Sequence, residues 1–151
     1  MPQPASDLTA HLGYWLRYVS NHVSQAFARR IEAQGVTVAE WVLMRQLLEV
    51  EALAPSRLAD RMGMTRGAVS KLADRLIAKS LLARAADPQD GRAQTLALTR
   101  AGRAMVPELA ALADANDAEF FDSLAPDDRA ALLRILRGIV EKRGLKTLPV
   151  D

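Results

Sequence analysis

From Asp87 the chain reads Asp-Pro-Gln-Asp-Gly-Arg and then runs on with alternating apolar residues to Thr99. No helix can pass through such a stretch. Proline fixes φ and lacks an N–H, glycine permits positive φ, and each aspartate can bond back to its own backbone. The flanking segments Leu81–Ala86 and Arg92–Thr99 are short and extended in character, so the chain must fold here into a narrow hairpin. Its tip carries one cation, Arg92.

The rest of the chain reads as helix. Alanine, leucine and arginine dominate its 151 residues and β-branched residues are scarce, a composition that leans helical. The length falls in the single-domain range and allows a substantial core. One long helix is expected from Asp7 to about Gln34, ended by Gly35. Thr37 and Glu40 have capping-box spacing at the start of the next. Pro55 suits a first helical turn, and the helix it opens should stop at Gly63. Thr65 is placed to cap a further helix through Ser80. Two short helices around so tight a turn make a helix-turn-helix. After the hairpin, Thr99 starts a long helix that Pro107 should kink or mark as a late first turn. A last helix is expected between Pro126 and Gly144.

Charge is unevenly spread. Residues 55–103 hold ten basic and four acidic side chains, a net +6, whereas the chain as a whole is only +2, leaving −4 elsewhere. A basic module on an acidic frame suits a polyanionic partner. On the helix from Thr65, the positions Val69, Leu72, Ala73, Leu76 and Ile77 form a buried stripe. Arg66, Gly67, Ser70, Lys71 and Asp74 then share the outward face. Taken alone, that face is equally a solvated surface or a groove-reading one. The hairpin decides between them: a helix-turn-helix followed at once by two strands is a winged helix. Its second helix enters the major groove, where Arg66 and Lys71 can reach guanine O6 and N7. Arg92 can enter the minor groove beside it. Ser56, Thr65 and Arg75 lie where phosphate contacts fall. Asp87 and Asp90 are expected to brace the turn by accepting backbone N–H bonds or by pairing with Arg92.

With these elements in order, the segment from Pro55 through Arg103 resembles the MarR (multiple antibiotic resistance regulator) family of winged-helix transcription factors. The likeness extends over nearly the whole chain, and its most specific part is the wing followed by Leu98, Thr99 and Gly102. Asp90-Gly91-Arg92 stands where the family commonly shows Asp-Arg-Arg, and Ser80 where it usually has glycine. The resemblance implies a mainly α fold with a small β-wing, in which residues 37–103 form the DNA-binding lobe and residues 1–36 with 104–151 the helical dimerisation region. It implies an obligate homodimer on double-stranded DNA, with a pseudo-palindromic operator whose half-sites lie about 10 bp apart. Independently, Phe120, Phe121, Leu133, Ile135, Ile139 and Val140 offer more apolar surface than two peripheral helices need to dock on one lobe.

The first helix carries His11, Tyr14, Trp15, Tyr18 and His22 on one stripe. Family members that respond to small aromatic acids bind them in a region this helix lines. Tyr14, Trp15 and Tyr18, faced by Trp41 and Arg45 from the second helix, would suit an aromatic, anionic effector. The same aromatics equally suit a dimer core. A ligand-responsive repressor and a ligand-independent regulator or architectural protein therefore both fit.

Other function classes find no support. With no cysteine, disulfides, thiolate chemistry and Cys-based zinc sites are excluded. His11 and His22 are separated by eleven residues, about 16 Å along a helix, and cannot share an ion within one subunit. No nucleophile elbow, phosphate loop or HExxH occurs, so neither a cofactor nor catalysis is expected. The first residues carry no signal-peptide pattern and no apolar run reaches the ~20 residues of a membrane span, so a cytoplasmic protein is expected.

Overall fold

The computed structural model describes residues 1–151. Six helices and one hairpin follow in the order α1 (Leu12–Glu32), α2 (Val38–Leu47), α3 (Pro55–Met62), α4 (Arg66–Ala78), β1 (Leu82–Ala86), β2 (Gln94–Leu98), α5 (Arg100–Phe121) and α6 (Pro126–Arg143). No helix is long and apolar enough to cross a membrane.

Local chemistry sets most boundaries. Thr37, Thr65 and Thr99 each sit in extended backbone and accept an N–H from three residues on, at 3.0–3.1 Å. Gly63 ends α3 in the left-handed conformation. The first helix starts later than its sequence pattern suggests. Asp7 makes no side-chain cap, the chain spends Leu8–Ala10 in a single 3₁₀ turn, and His11 is extended, so α1 begins only at Leu12. Only half of the capping box forms: Thr37 accepts the Glu40 N–H, but the Glu40 carboxylate turns inward. Pro107 lies eight residues into α5 and marks no first turn, because Thr99 has already nucleated the helix.

The two strands pair antiparallel in the register Leu82↔Leu98 to Ala86↔Gln94. A third extended position, Leu53, joins through two backbone bonds to Leu96 at 2.8 and 2.9 Å. The base of the wing is thereby stitched to the segment leading into α3. Where α5 begins, Gly102 lies so close to Leu81 that a Cβ would stand 2.1 Å from its carbonyl oxygen. Thr99 adds a 2.7 Å bond to the Ser80 carbonyl, so the Leu-Thr-x-x-Gly segment locks wing to helix.

Seventeen buried residues form one core, drawn from α2, α3, α4, the strands, the end of α1 (Ile31) and the start of α5 (Val106, Leu109). No residue of α6 is buried. Leu12, Leu16, Val19, Leu133, Ile135, Ile139 and Val140 are all exposed, so the first half of α1 and all of α6 lie outside the core.

Candidate nucleic-acid interface

In the α3–α4 unit, Val69, Leu72, Ala73 and Leu76 are buried against the core, with Ile77 at its margin. That orientation leaves Thr65, Arg66, Gly67, Ser70, Lys71, Asp74 and Arg75 exposed. Nothing lies within contact range of the Cβ position of Gly67, so the helix surface is flush there. Ser56 is half-buried in the first turn of α3.

The wing loop closes as two successive turns. Asp90 N–H donates to the Asp87 carbonyl, Ala93 N–H to the Asp90 carbonyl, and Asp87 N–H across to Ala93. The aspartate side chains complete them: Asp87 Oδ1 accepts the Gln89 N–H at 2.9 Å and Asp90 Oδ1 the Arg92 N–H at 3.0 Å. Both acids are thus engaged with backbone, and the Arg92 guanidinium makes no ion pair. Arg84 on β1 pairs with Asp74 on α4 at 2.6 Å, which ties wing to helix and neutralises the one acid on the outward face.

Eight of the ten cations between residues 55 and 103 have no carboxylate within 4 Å, and seven of these, Arg57, Arg61, Arg66, Lys71, Arg75, Arg92 and Arg100, make no other side-chain hydrogen bond either. A surface so supplied can bind phosphate without first breaking internal pairs. The other three brace the lobe. Besides Arg84, Arg103 donates to the carbonyls of Leu48 and Val50 beyond the end of α2. Lys79 bonds both oxygens of Glu40, at 2.8 and 3.1 Å, and the Gly35 carbonyl at 2.8 Å. Glu40 is only 1% exposed, so its charge depends on that ammonium.

The residues expected to hold an effector do not share one hollow. Tyr14, Trp15, Tyr18 and His22 form a stack along the exposed side of α1, with ring centroids 5.4–6.4 Å apart. Tyr14, Tyr18 and His22 line an open hollow of about 310 Å³ with Arg17, Asn21 and Gln25. Trp41 lies elsewhere, in a hollow of about 330 Å³ with Val23, Phe27, Asn116 and Pro149. The expectation that Trp41 and Arg45 face the Tyr14–Tyr18 cluster is therefore corrected within one protomer. The link from α1 to α2 is short, so α2 begins beside the end of α1. Phe27 is nine residues beyond Tyr18, about 14 Å further along the helix. Arg45 pairs with Glu49 at 3.2 Å and lines neither hollow, and His11 precedes α1 without lining one.

Sequence reasoning passed over Asn116. It is 3% exposed, donates through Nδ2 to the Val23 carbonyl at 3.2 Å, and leaves its Oδ1 unpartnered. One asparagine in a polar stretch carries no signal of burial.

Residues 34–93 match the model of the MarR family, and that span runs from the α1–α2 turn through α2, the helix-turn-helix and the first half of the wing. Over that span the chain is similar to the MarR family. It is similar to the HTH-type transcriptional repressor MdtR of Bacillus subtilis, with 29% identity over 124 residues that cover 82% of this chain and 80% of MdtR. Among solved structures it is similar to Bordetella bronchiseptica BpsR, described in terms of regulation of its DNA binding by 6-hydroxynicotinic acid. The TM-score is 0.78 at 26% identity, with 90% of this chain and 97% of the BpsR chain covered. Escherichia coli MarR complexed with operator DNA shares the fold at a TM-score of 0.78 and 22% identity, over 89% of this chain and 99% of that one.

Proposed function

We propose that this protein is a member of the MarR family and a homodimeric, sequence-specific DNA-binding regulator of transcription, acting as a repressor released by a small ligand. The observation that carries the reading is the outward face of α4, open and cationic, beside a wing whose only tip cation is unpaired. Arg66 and Lys71 would read base edges, with Gly67 and Ser70 allowing close approach. Ser56, Thr65 and Arg75 would hold phosphates. The Thr65 oxygen accepts the Ala68 N–H and its own proton remains to donate. Arg92 would lie in the minor groove. Residues 37–103 would be the reading lobe, and 1–36 with 104–151 the arms that pair with a second copy.

MdtR is a repressor, and BpsR responds to an aromatic acid. By analogy, the stacked Tyr14–Trp15–Tyr18 face and the Trp41 hollow with its unpartnered Asn116 oxygen are the places for an aromatic effector. A ligand-independent regulator is the second reading, favoured by the separation of those two hollows within one chain.

Selection of bound duplexes from a random library tests the reading. A pseudo-palindromic sequence should emerge, and Arg66→Ala or Lys71→Ala should relax preference at particular positions by about 1–3 kcal/mol each. Enrichment of no sequence would refute it. Titration with 6-hydroxynicotinic acid and related aromatic acids then separates the two regulatory modes: heat of binding together with operator release supports the first.

A further inference from the structure

Both covalent links between the lobe and the long helices converge on one end of α4. The turn that joins α1 to α2 is held there by Lys79 Nζ on the Gly35 carbonyl. The entry to α5 is held there by Thr99, whose hydroxyl bonds Ser80 and whose N–H bonds Leu81. The opposite, N-terminal end of α4 carries the residues proposed to read DNA. It lies thirteen residues away, about 20 Å along the helix. With both chain links at one end, the lobe that carries α4 can hinge as a body against the long helices, and a third link at the far end opposes that hinge.

The chain supplies a third attachment. After the left-handed turn at Gly144, the segment beyond α6 returns to the α3–α4 turn. There Leu148 N–H donates to the Met62 carbonyl at 3.0 Å and Thr147 Oγ1 to the Gly63 carbonyl at 3.1 Å. Lys146 presses so closely on Gly63 that a Cβ would stand 2.5 Å from its carbonyl oxygen. Leu148 and Val150 pack against the margin of the core. Gly63 therefore serves twice, as the left-handed stop of α3 and as the seat of this segment.

We propose that residues 145–150 are a strap from the α6 arm to the helix-turn-helix, and that this strap sets the tilt of α4 relative to the dimer arms. The contacts of the strap fall on Met62 and Gly63, ahead of the outward face of α4, so it acts on the spacing and angle of two lobes and not on base contacts. Discrimination between operators with different half-site spacings depends on it. Both claims rest on the proposed homodimer, which sedimentation of the parent checks first; only the operator-spacing consequence rests on the DNA-binding reading as well.

The chain has no cysteine, so a spin label at Asp60→Cys, exposed on α3, reports lobe-to-lobe distance cleanly. Two variants of the labelled dimer remove the strap: a chain ending at Gly144, and the full chain with Thr147→Val and Leu148→Pro, which lack both bonds. Pulsed dipolar spectroscopy should give one narrow distance peak for the parent and a broad distribution for both variants. On the selected operator and a version with one base pair inserted between half-sites, the affinity ratio should shrink about five-fold. An unchanged distance distribution overturns the proposal, even if the variants melt earlier, since the segment would then only pad the core. Equal loss of affinity for both spacings, with the distances unchanged, overturns it too. If the distribution broadens while the parent binds no duplex, the strap stands and the DNA-binding reading falls.

Discussion

Lys79 and Glu40 are 39 positions apart, yet one depends on the other. The Glu40 carboxylate is buried, and Lys79 alone neutralises it while also reaching the Gly35 carbonyl. Lys79→Met should destabilise the fold by about 3 kcal/mol, the low end for a broken buried pair because Lys79 is itself partly exposed; urea unfolding at neutral pH measures it. Ser80 is the only non-glycine residue at positive φ, 61°, a conformation that is costly for a side chain with a Cβ. Ser80→Gly should therefore stabilise the protein by about 0.5–1 kcal/mol, read as a higher Tm, since its hydrogen bond to Thr99 uses only the backbone carbonyl. The sequence marks Ser80 as a departure from the family pattern, and the structure supplies the reason. It gives no comparable hint of the Glu40–Lys79 pair, because glutamate three residues after threonine equally spells a capping box. Burial of the carboxylate, a tertiary effect, decides between the two outcomes.

Elements whose ends are fixed by local chemistry were legible. Gly63, Thr65 and Thr99 each act on backbone groups within four residues, so helix stops and starts follow from residue type alone. The wing turn was legible for the same reason: Asp87 and Asp90 reach N–H groups two residues on. What needed the folded chain were pairings between distant segments, namely Leu53 with Leu96 and Thr147 with Gly63. The start of α1 was misjudged because its apolar periodicity runs on past the point where the backbone is capped. For the wing, Arg92→Ala should weaken operator binding and lessen preference for A·T pairs beside the half-sites, as seen by fluorescence anisotropy on duplexes that differ only there. Arg84→Ala should free Asp74 to face phosphate and so weaken binding to all sequences, an effect that Asp74→Asn in the same chain should reverse.

In the whole molecule, one core gathers the lobe with the end of α1 and part of α5, and α6 contributes nothing to it. Ile135 is 50% exposed, and Leu133, Ile139 and Val140 are each 46% exposed, along a helix with nothing buried in this chain. Such a face calls for a second copy. Ile135→Asp with Ile139→Asp should give monomers by sedimentation, with operator binding lost while the helical circular-dichroism signal of the chain is retained. Reading two half-sites with paired lobes further requires that affinity fall steeply with salt. If each dimer neutralises roughly 6–10 phosphates, the loss between 50 and 200 mM is about a thousand-fold or more.

A chemical footprint of the purified protein on its selected duplex puts the central idea to the most direct test. Two protected major-groove tracts should appear one helical turn apart, about 10 bp between centres, each flanked by minor-groove protection that vanishes with Arg92→Ala. A single protected tract, or uniform protection without regard to sequence, would contradict the model of two lobes each placing α4 and a wing in adjacent grooves.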